Sequence, residues 1–270
     1  GDSIMTTTKP KHNMADTQHL WKGEYYQCPL FIDGSNHDRH YKKYFDDITK
    51  DLQKQDNSEL YLLDIGGGNG YWADYVAKLI KPKRAIVYEY SQLMCDDGAS
   101  KYSATCDFIC GEMDQCLIDM KDKKFCFIFA KEAIHFGTQE WMNDLVDFCK
   151  NTMDKRGMLQ IVGIPRLADW KLTPPFPPRS LSYISKLPVQ AMDSKDYAIE
   201  KGFKINFYLT SVTNVLSIEE FRKFITGRGW SCLFKLSDEE LEYWVKYYES
   251  LQVKEVKWES FFDIFEMTWA

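Results

Sequence analysis

Residues 64–70 read Asp-Ile-Gly-Gly-Gly-Asn-Gly. Glycine at that density weakens any regular element, so the backbone here must turn sharply or let another group come close. An apolar run at 60–65 precedes the glycines, and an amphipathic stretch at 71–80 follows, with Trp72, Tyr75, Val76 and Leu79 on one helical face. A glycine-rich turn between a buried strand and a helix restricts the chain to a small set of α/β folds.

The downstream sequence keeps that rhythm. Further apolar runs at 85–90, 105–110, 125–130 and 158–164 read as buried strands. Helical patterns separate them, one starting near Gln92. Another at 138–153 carries Trp141, Met142, Leu145, Val146 and Cys149 in a stripe. Continuous apolar strands alternating with amphipathic helices predict an open, doubly wound, mostly parallel α/β sheet covered on both faces.

Five segments follow from the pattern. Residues 1–16 read as a disordered polar tail whose first four residues, ahead of Met5, are a tag remnant. Residues 17–56 form an N-terminal cap segment, with a helix over 38–52 marked by Tyr41, Tyr44, Phe45 and Ile48. Residues 57–164 are the ligand-binding core. Residues 165–215 hold six of the nine prolines and read as a lid insertion. Residues 216–270 complete the core, with a helix capped by Ser217 and Glu220, a strand at 230–236, a helix at 238–251 and a final strand at 260–269.

Composition excludes several classes. A net charge of -6 with no basic stripe argues against nucleic acid. The lack of an apolar run of 18 residues argues against a membrane span. The eight cysteines lie mostly in apolar runs without a Cys-x-x-Cys, as in a cytoplasmic protein with reduced thiols and no metal.

The loop spacing narrows the ligand. Gly66, Gly68 and Gly70 give G-x-G-x-G, and Tyr71 stands where a dinucleotide fingerprint has its third glycine. No Lys-Ser or Lys-Thr pair completes a phosphate loop. Asp64 at the strand end repels a pyrophosphate and attracts an ammonium group. The expected ligand is nucleoside-like, with a cation where a dinucleotide carries phosphates.

Residues 62–70, Leu-Leu-Asp-Ile-Gly-Gly-Gly-Asn-Gly, resemble the first motif of the class I S-adenosylmethionine-dependent methyltransferases. The resemblance extends over about residues 58–164 and 216–270. It implies a Rossmann-like, seven-stranded sheet whose last strand is antiparallel. It also implies S-adenosylmethionine as cofactor, with Asp64, Gly66, Gly67, Gly68 and Gly70 around its amino-acid part. Ile86-Val87-Tyr88-Glu89 resembles the second motif, whose acid binds both ribose hydroxyls; Tyr90 then lies against the adenine. Cys110-Gly111-Glu112-Met113 resembles the family's Gly-Asp step, placing Glu112 and Met113 at the adenine. Phe129-Ala130-Lys131-Glu132 closes the fourth strand, Lys131 beside the cofactor and Glu132 facing the acceptor. Asp154-Lys155-Arg156-Gly157 departs from the family's Pro-Gly-Gly turn.

The implied activity is methyl transfer to an O, N or S atom of a small molecule, by a monomer or homodimer. His135 is the candidate general base, set against catalysis by alignment alone. Trp21, Tyr25 and Tyr26 are candidates to close over the sulfonium, or else to pack on the sheet. Arg166 and Tyr183 are candidates for the acceptor. The competing readings are a non-catalytic scaffold of the same fold and a nicotinamide-dependent oxidoreductase.

Overall fold

The structure, a computed structural model, describes residues 28–134, 137–165, 175–185 and 189–270. The apolar runs around the glycine loop are strands: β1 (Tyr61–Ile65), β2 (Arg84–Glu89), β3 (Cys106–Cys110), β4 (Phe125–Lys131) and β5 (Met153–Gly163). They are parallel, and two longer strands complete the sheet, β6 (Phe203–Ser217) and β7 (Glu255–Trp269). The order is β3-β2-β1-β4-β5-β7-β6, with β7 antiparallel to both neighbours. The winding reverses between β1 and β4, so a crevice opens at the C-terminal ends of those strands.

Both sheet faces are covered. On one, α1 (Asn36–Ile48) and α2 (Tyr71–Ile80) bring Tyr41, Phe45, Trp72 and Val76 onto Leu62, Phe127, Phe129 and Phe262. On the other, α4 (Met113–Asp119), α5 (Gln139–Thr152) and α7 (Lys195–Glu200) bury Leu117, Trp141, Leu145 and Ala198 against Leu63, Ile128 and Phe265. The remaining helix of this part is α3 (Gln92–Tyr102). Local chemistry sets the helix starts: the side chains of Ser35 and Thr138 accept the N–H groups of Asp38 and Trp141.

A third core lies apart from the sheet faces. The pairing of β5 with β7 stops at Gly163 opposite Asp263, whereas β6 and β7 stay paired as far as Ser217 opposite Glu255. The resulting two-stranded ribbon projects on the crevice side. Around it α8 (Ile218–Thr226), α9 (Asp238–Ser250) and the end of the segment leading into α6 (Pro178–Ser185) bury Phe176, Phe221, Phe224 and Trp258, with Leu30 and Phe31 ahead of α1. The Ser217–Glu220 capping box is formed in both directions.

Two expectations differ from this arrangement. The second half of the 165–215 segment is not part of an insertion, because Phe203–Ser217 is the edge strand of the sheet. Its exposed positions mix Phe207, Leu209 and Val215 with Lys204, Ser211 and Thr213, so no clean alternation with buried Val212, Asn214 and Leu216 shows in the sequence. The expected strand at 230–236 is a turn of 3₁₀-helix at Ser231–Leu233. Trp230, Leu233 and Leu236 are buried at a spacing of three, which is the 3₁₀ period and not that of a strand. Within the expected insertion, α6 begins at a proline, where the missing N–H costs nothing. Among the described residues no helix is long and apolar enough to cross a membrane.

Candidate functional site

The glycine loop is fixed at both ends. Gly66 N donates to Tyr88 O across the sheet at 2.8 Å, and Gly70 N closes the turn onto Gly67 O at 3.0 Å. Gly66, Gly68 and Gly70 have φ of 70°, 60° and 82°, in the left-handed region that favours glycine. Gly67 is required for space: a Cβ there would lie 2.4 Å from Asp64 Oδ2 and 2.8 Å from Val87 Cγ1. The backbone thus lies directly over the carboxylate at the end of β1, where α2 begins. The turn and the N-terminus of α2 lie together at the crevice end of β1.

Two buried carboxylates flank this loop. Asp64 is 2% exposed, and its acidity is held well above the ordinary range by burial and by the charge of Glu89, against the opposing pull of Lys131. Glu89 is also raised by burial, opposed by backbone N–H donors. Its Oε1 accepts Gly68 N at 3.0 Å and its Oε2 accepts Ser91 N at 2.6 Å. Each oxygen keeps lone-pair capacity for one further donor, a pair of sites suited to two adjacent hydroxyls. Asn69, also buried, donates to Asp97 at 3.0 Å and accepts Tyr71 N at 3.1 Å. Tyr71, in place of a third glycine, donates its hydroxyl to Asp38 of α1.

The end of β4 forms the opposite wall. Lys131 Nζ and Glu132 Oε2 pair at 2.7 Å, so the two side chains engage each other. The Lys131 ammonium also lies 4.1 Å from the Tyr41 ring centroid, a cation–π contact with α1. Glu132 has φ of 55°, a strained conformation for a side-chain-bearing residue, held by its N–H bond to Val162 O. A Cβ on Gly66 would meet Ala133 Cβ at 2.7 Å, so the loop touches the segment after β4.

The expected residues gather on both sides of the loop. Tyr90 follows Glu89 half-buried, its carbonyl accepting the Cys110 thiol at 3.4 Å. Glu112 is exposed at the N-cap of α4, and half-buried Met113 begins that helix with its carbonyl bound to Trp141 Nε1 at 3.1 Å. Gly111 N bonds Glu89 O at 2.9 Å, which brings the ends of β2 and β3 together. Trp21, Tyr25, Tyr26, His135 and Arg166 lie outside the described residues, as does the side chain of Tyr183 in α6. Tyr41, which the sequence shows only as part of a core stripe, is buried on α1 with its ring against the Lys131 ammonium, and His37 is buried beside it.

Known proteins match this arrangement. Residues 62–157 match the family described as "Methyltransferase domain". No curated protein matches the sequence. Among solved structures, the cyclopropane synthase MmaA2 of Mycobacterium tuberculosis superposes with a TM-score of 0.55 at 12% identity, over 93% of each chain. A SAM-dependent methyltransferase of Archaeoglobus fulgidus gives 0.51 at 16%, over 90% of this chain and 99% of that one. The phosphoethanolamine N-methyltransferase 2 of Haemonchus contortus, in complex with phosphomonomethylethanolamine and S-adenosylhomocysteine, gives 0.52 at 12%, over 93% and 58%. Residues 62–157 thus carry a methyltransferase domain, and the strand order is that of the class I methyltransferase fold.

Proposed function

We propose that the chain transfers the methyl group of S-adenosylmethionine to an O, N or S atom of a small molecule. The observation that carries this reading is the cradle at Gly67, where any side chain would strike the Asp64 carboxylate. When bound, S-adenosylmethionine supplies a methyl group activated by a sulfonium. The loop Gly66, Gly67, Gly68 and Gly70, bare of side chains, lets its amino-acid end approach the backbone closely, with Asp64 as the nearby acid. The two carboxylate oxygens of Glu89 suit the ribose hydroxyls, and Tyr90, Glu112 and Met113 the adenine.

Lys131 is the candidate beside the cofactor and Glu132 the candidate facing the acceptor, with Tyr25, Tyr26, Arg166 and Tyr183 as further acceptor candidates from the sequence. His135 is the candidate base. The chain's contribution is alignment of the acceptor with the methyl group and exclusion of water. The small-molecule class is supported by the acidic charge and by the ligand of the Haemonchus contortus neighbour.

The test is incubation of the protein with methyl-labelled S-adenosylmethionine and a cell extract, fractionated into small molecules, protein and nucleic acid. Label in the small-molecule fraction, absent with Asp64→Ala, is the expected result. Label confined to protein or nucleic acid overturns the acceptor class.

A further inference from the structure

The registers of β2, β1 and β4 set charged side chains in one row. Asp64 pairs with Val87 of β2 on one side and with Phe129 of β4 on the other. Glu89 and Lys131 each stand two residues further along their strands, toward the crevice. Side chains alternate between the faces of a sheet, so residues two apart share a face. Leu62, Val87 and Phe129 belong to the core under α1 and α2, which puts Asp64, Glu89 and Lys131 on that face too. Asp64 is thus flanked by an acid and by an ammonium, each about 8 Å away between α-carbons from strand spacing and rise.

Lys131 is braced from several sides. Its Nζ pairs with Glu132 Oε2 at 2.7 Å and lies 4.1 Å from the Tyr41 ring centroid. Both side chains of the pair are largely buried. Glu132 is fixed through its left-handed backbone and its N–H bond to Val162 O. Tyr41 is fixed by buried Trp72 and Phe262, whose rings lie 5.7 and 5.6 Å from its own. The ammonium is held by β4, by the turn after it and by α1, and it acts on its surroundings through its charge.

Charges in a buried row act strongly on one another. Burial and the charge of Glu89 hold the Asp64 carboxyl well above its ordinary range, and Lys131 opposes them. Glu89 accepts N–H bonds from Gly68 and Ser91, which favour its charged form. The other titratable groups facing the row are His37, His40 and Tyr41 from α1 and Cys106 from β3. Burial and the charge of Lys131 hold both histidines below their ordinary range. Burial and Glu132 hold the Tyr41 hydroxyl well above its own, and burial pushes the Cys106 thiol up to about 11. Near neutral pH these groups are uncharged, so the balance against Asp64 and Glu89 falls to Lys131, less what Glu132 takes from it.

We propose that Lys131 is a positioning residue of the cofactor site: its ammonium, braced by Glu132 and Tyr41, favours the charged form of Asp64 and so sets how tightly the glycine loop holds an ammonium group. Glu132 works in the opposite sense. The assignment rests on the methyltransferase reading above, in which Asp64 meets the amino-acid end of S-adenosylmethionine. It gives that end a pH-dependent grip. A ligand that needs the carboxylate displaces a proton at low pH, so affinity falls about tenfold for each pH unit below the Asp64 midpoint and is level above it.

The first half of the test needs no ligand. NMR of protein with ¹³C-carboxyl-labelled aspartate follows the Asp64 carboxyl from about pH 4 to 9, with Asp64→Asn identifying its signal. Lys131→Met should move the midpoint to higher pH and Glu132→Gln to lower pH, whereas Lys131→Arg should leave it near the parent's. The second half is calorimetric titration with S-adenosylhomocysteine over the same range. This ligand keeps the ammonium and lacks the sulfonium charge that Lys131 would also feel. Below the midpoints Lys131→Met should bind it about tenfold more weakly than the parent, and Glu132→Gln more tightly. Above them the affinities should converge to within about threefold. If Lys131→Met does not fold, Glu132→Gln decides alone. A midpoint unmoved by either neutral variant overturns the proposal, as does an affinity loss equal at every pH, the mark of a purely structural role. A moved midpoint that the affinities ignore also overturns it. Each of these failures, with the ligand still bound, leaves the methyltransferase reading standing. No binding by the parent at any pH overturns that reading, and the proposal with it.

Discussion

Alanine at position 67 is the smallest change that strikes the site. The added Cβ would fall 2.4 Å from Asp64 Oδ2, 2.5 Å from its Cγ and 2.8 Å from Val87 Cγ1. Ordinary carbon–oxygen contact needs roughly 3.4 Å or more, so the overlap is about 1 Å. Asp64 is 2% exposed and Val87 fully buried, so neither has solvent to retreat into. Overpacking of this kind costs about 1–3 kcal/mol, or a fall in melting temperature of about 2–4 °C per kcal/mol for a chain of this size. Displacing the carboxylate also forfeits a charge-assisted contact to the ligand of about 1.5–3 kcal/mol, which is about 10- to 150-fold in affinity. Calorimetric titration with S-adenosylhomocysteine reads the second effect and thermal unfolding the first. The double variant Asp64→Ala/Gly67→Ala removes the obstacle, so it should recover stability lost in Gly67→Ala without recovering affinity. Additive stability effects in that cycle, with affinity of Gly67→Ala within twofold of the parent, would refute the reasoning.

Other outcomes follow from the same geometry. Glu89→Gln supplies one acceptor oxygen where two N–H donors, from Gly68 and Ser91, now converge; unfolding by urea should show a loss of about 1.5–3 kcal/mol, and nucleotide affinity should fall more than tenfold. Tyr44→Phe leaves Gln160 Oε1 without the hydroxyl that serves it in the core, and the urea midpoint should report about 1–3 kcal/mol of destabilisation. Asp263, buried beside Gly163, has its acidity pushed up to about 6 by burial, against the Gly163 N–H. A carboxyl raised on folding contributes stability fully below its unfolded value and loses it as pH rises through 6. Asp263→Asn should therefore match the parent near pH 4. Above pH 6 it should exceed the parent by about 1–2 kcal/mol once solvent screening is allowed for. A constant difference across that range contradicts the assignment.

The cofactor half of the site was legible because its signals are local. Four glycines, the acid before them and the acid ending β2 lie within short windows whose neighbours are continuous apolar strands. The Ser217–Glu220 capping box was legible for the same reason. The cap was not. β6 has one strand neighbour, and its exposed positions mix polar side chains with Phe207, Leu209 and Val215, so Phe203–Ser217 shows neither the apolar continuity of a central strand nor a clean alternation. His37 and Asn214 are separated by the whole sheet in sequence, and only the β6–β7 ribbon folding back over α1 brings them to one cavity. Short 3₁₀ turns such as Ser231–Leu233 share their composition with strands, and only tertiary packing of Trp230 and Leu236 separates the two.

The most direct measurement is calorimetric titration of the protein with S-adenosylmethionine, S-adenosylhomocysteine and NADH. Stoichiometric binding of the first two at about micromolar affinity, lost in Asp64→Ala and absent for NADH, is the predicted result. Binding of NADH in place of both sulfur nucleosides contradicts the reading of the glycine loop, and binding of none leaves the fold as a scaffold.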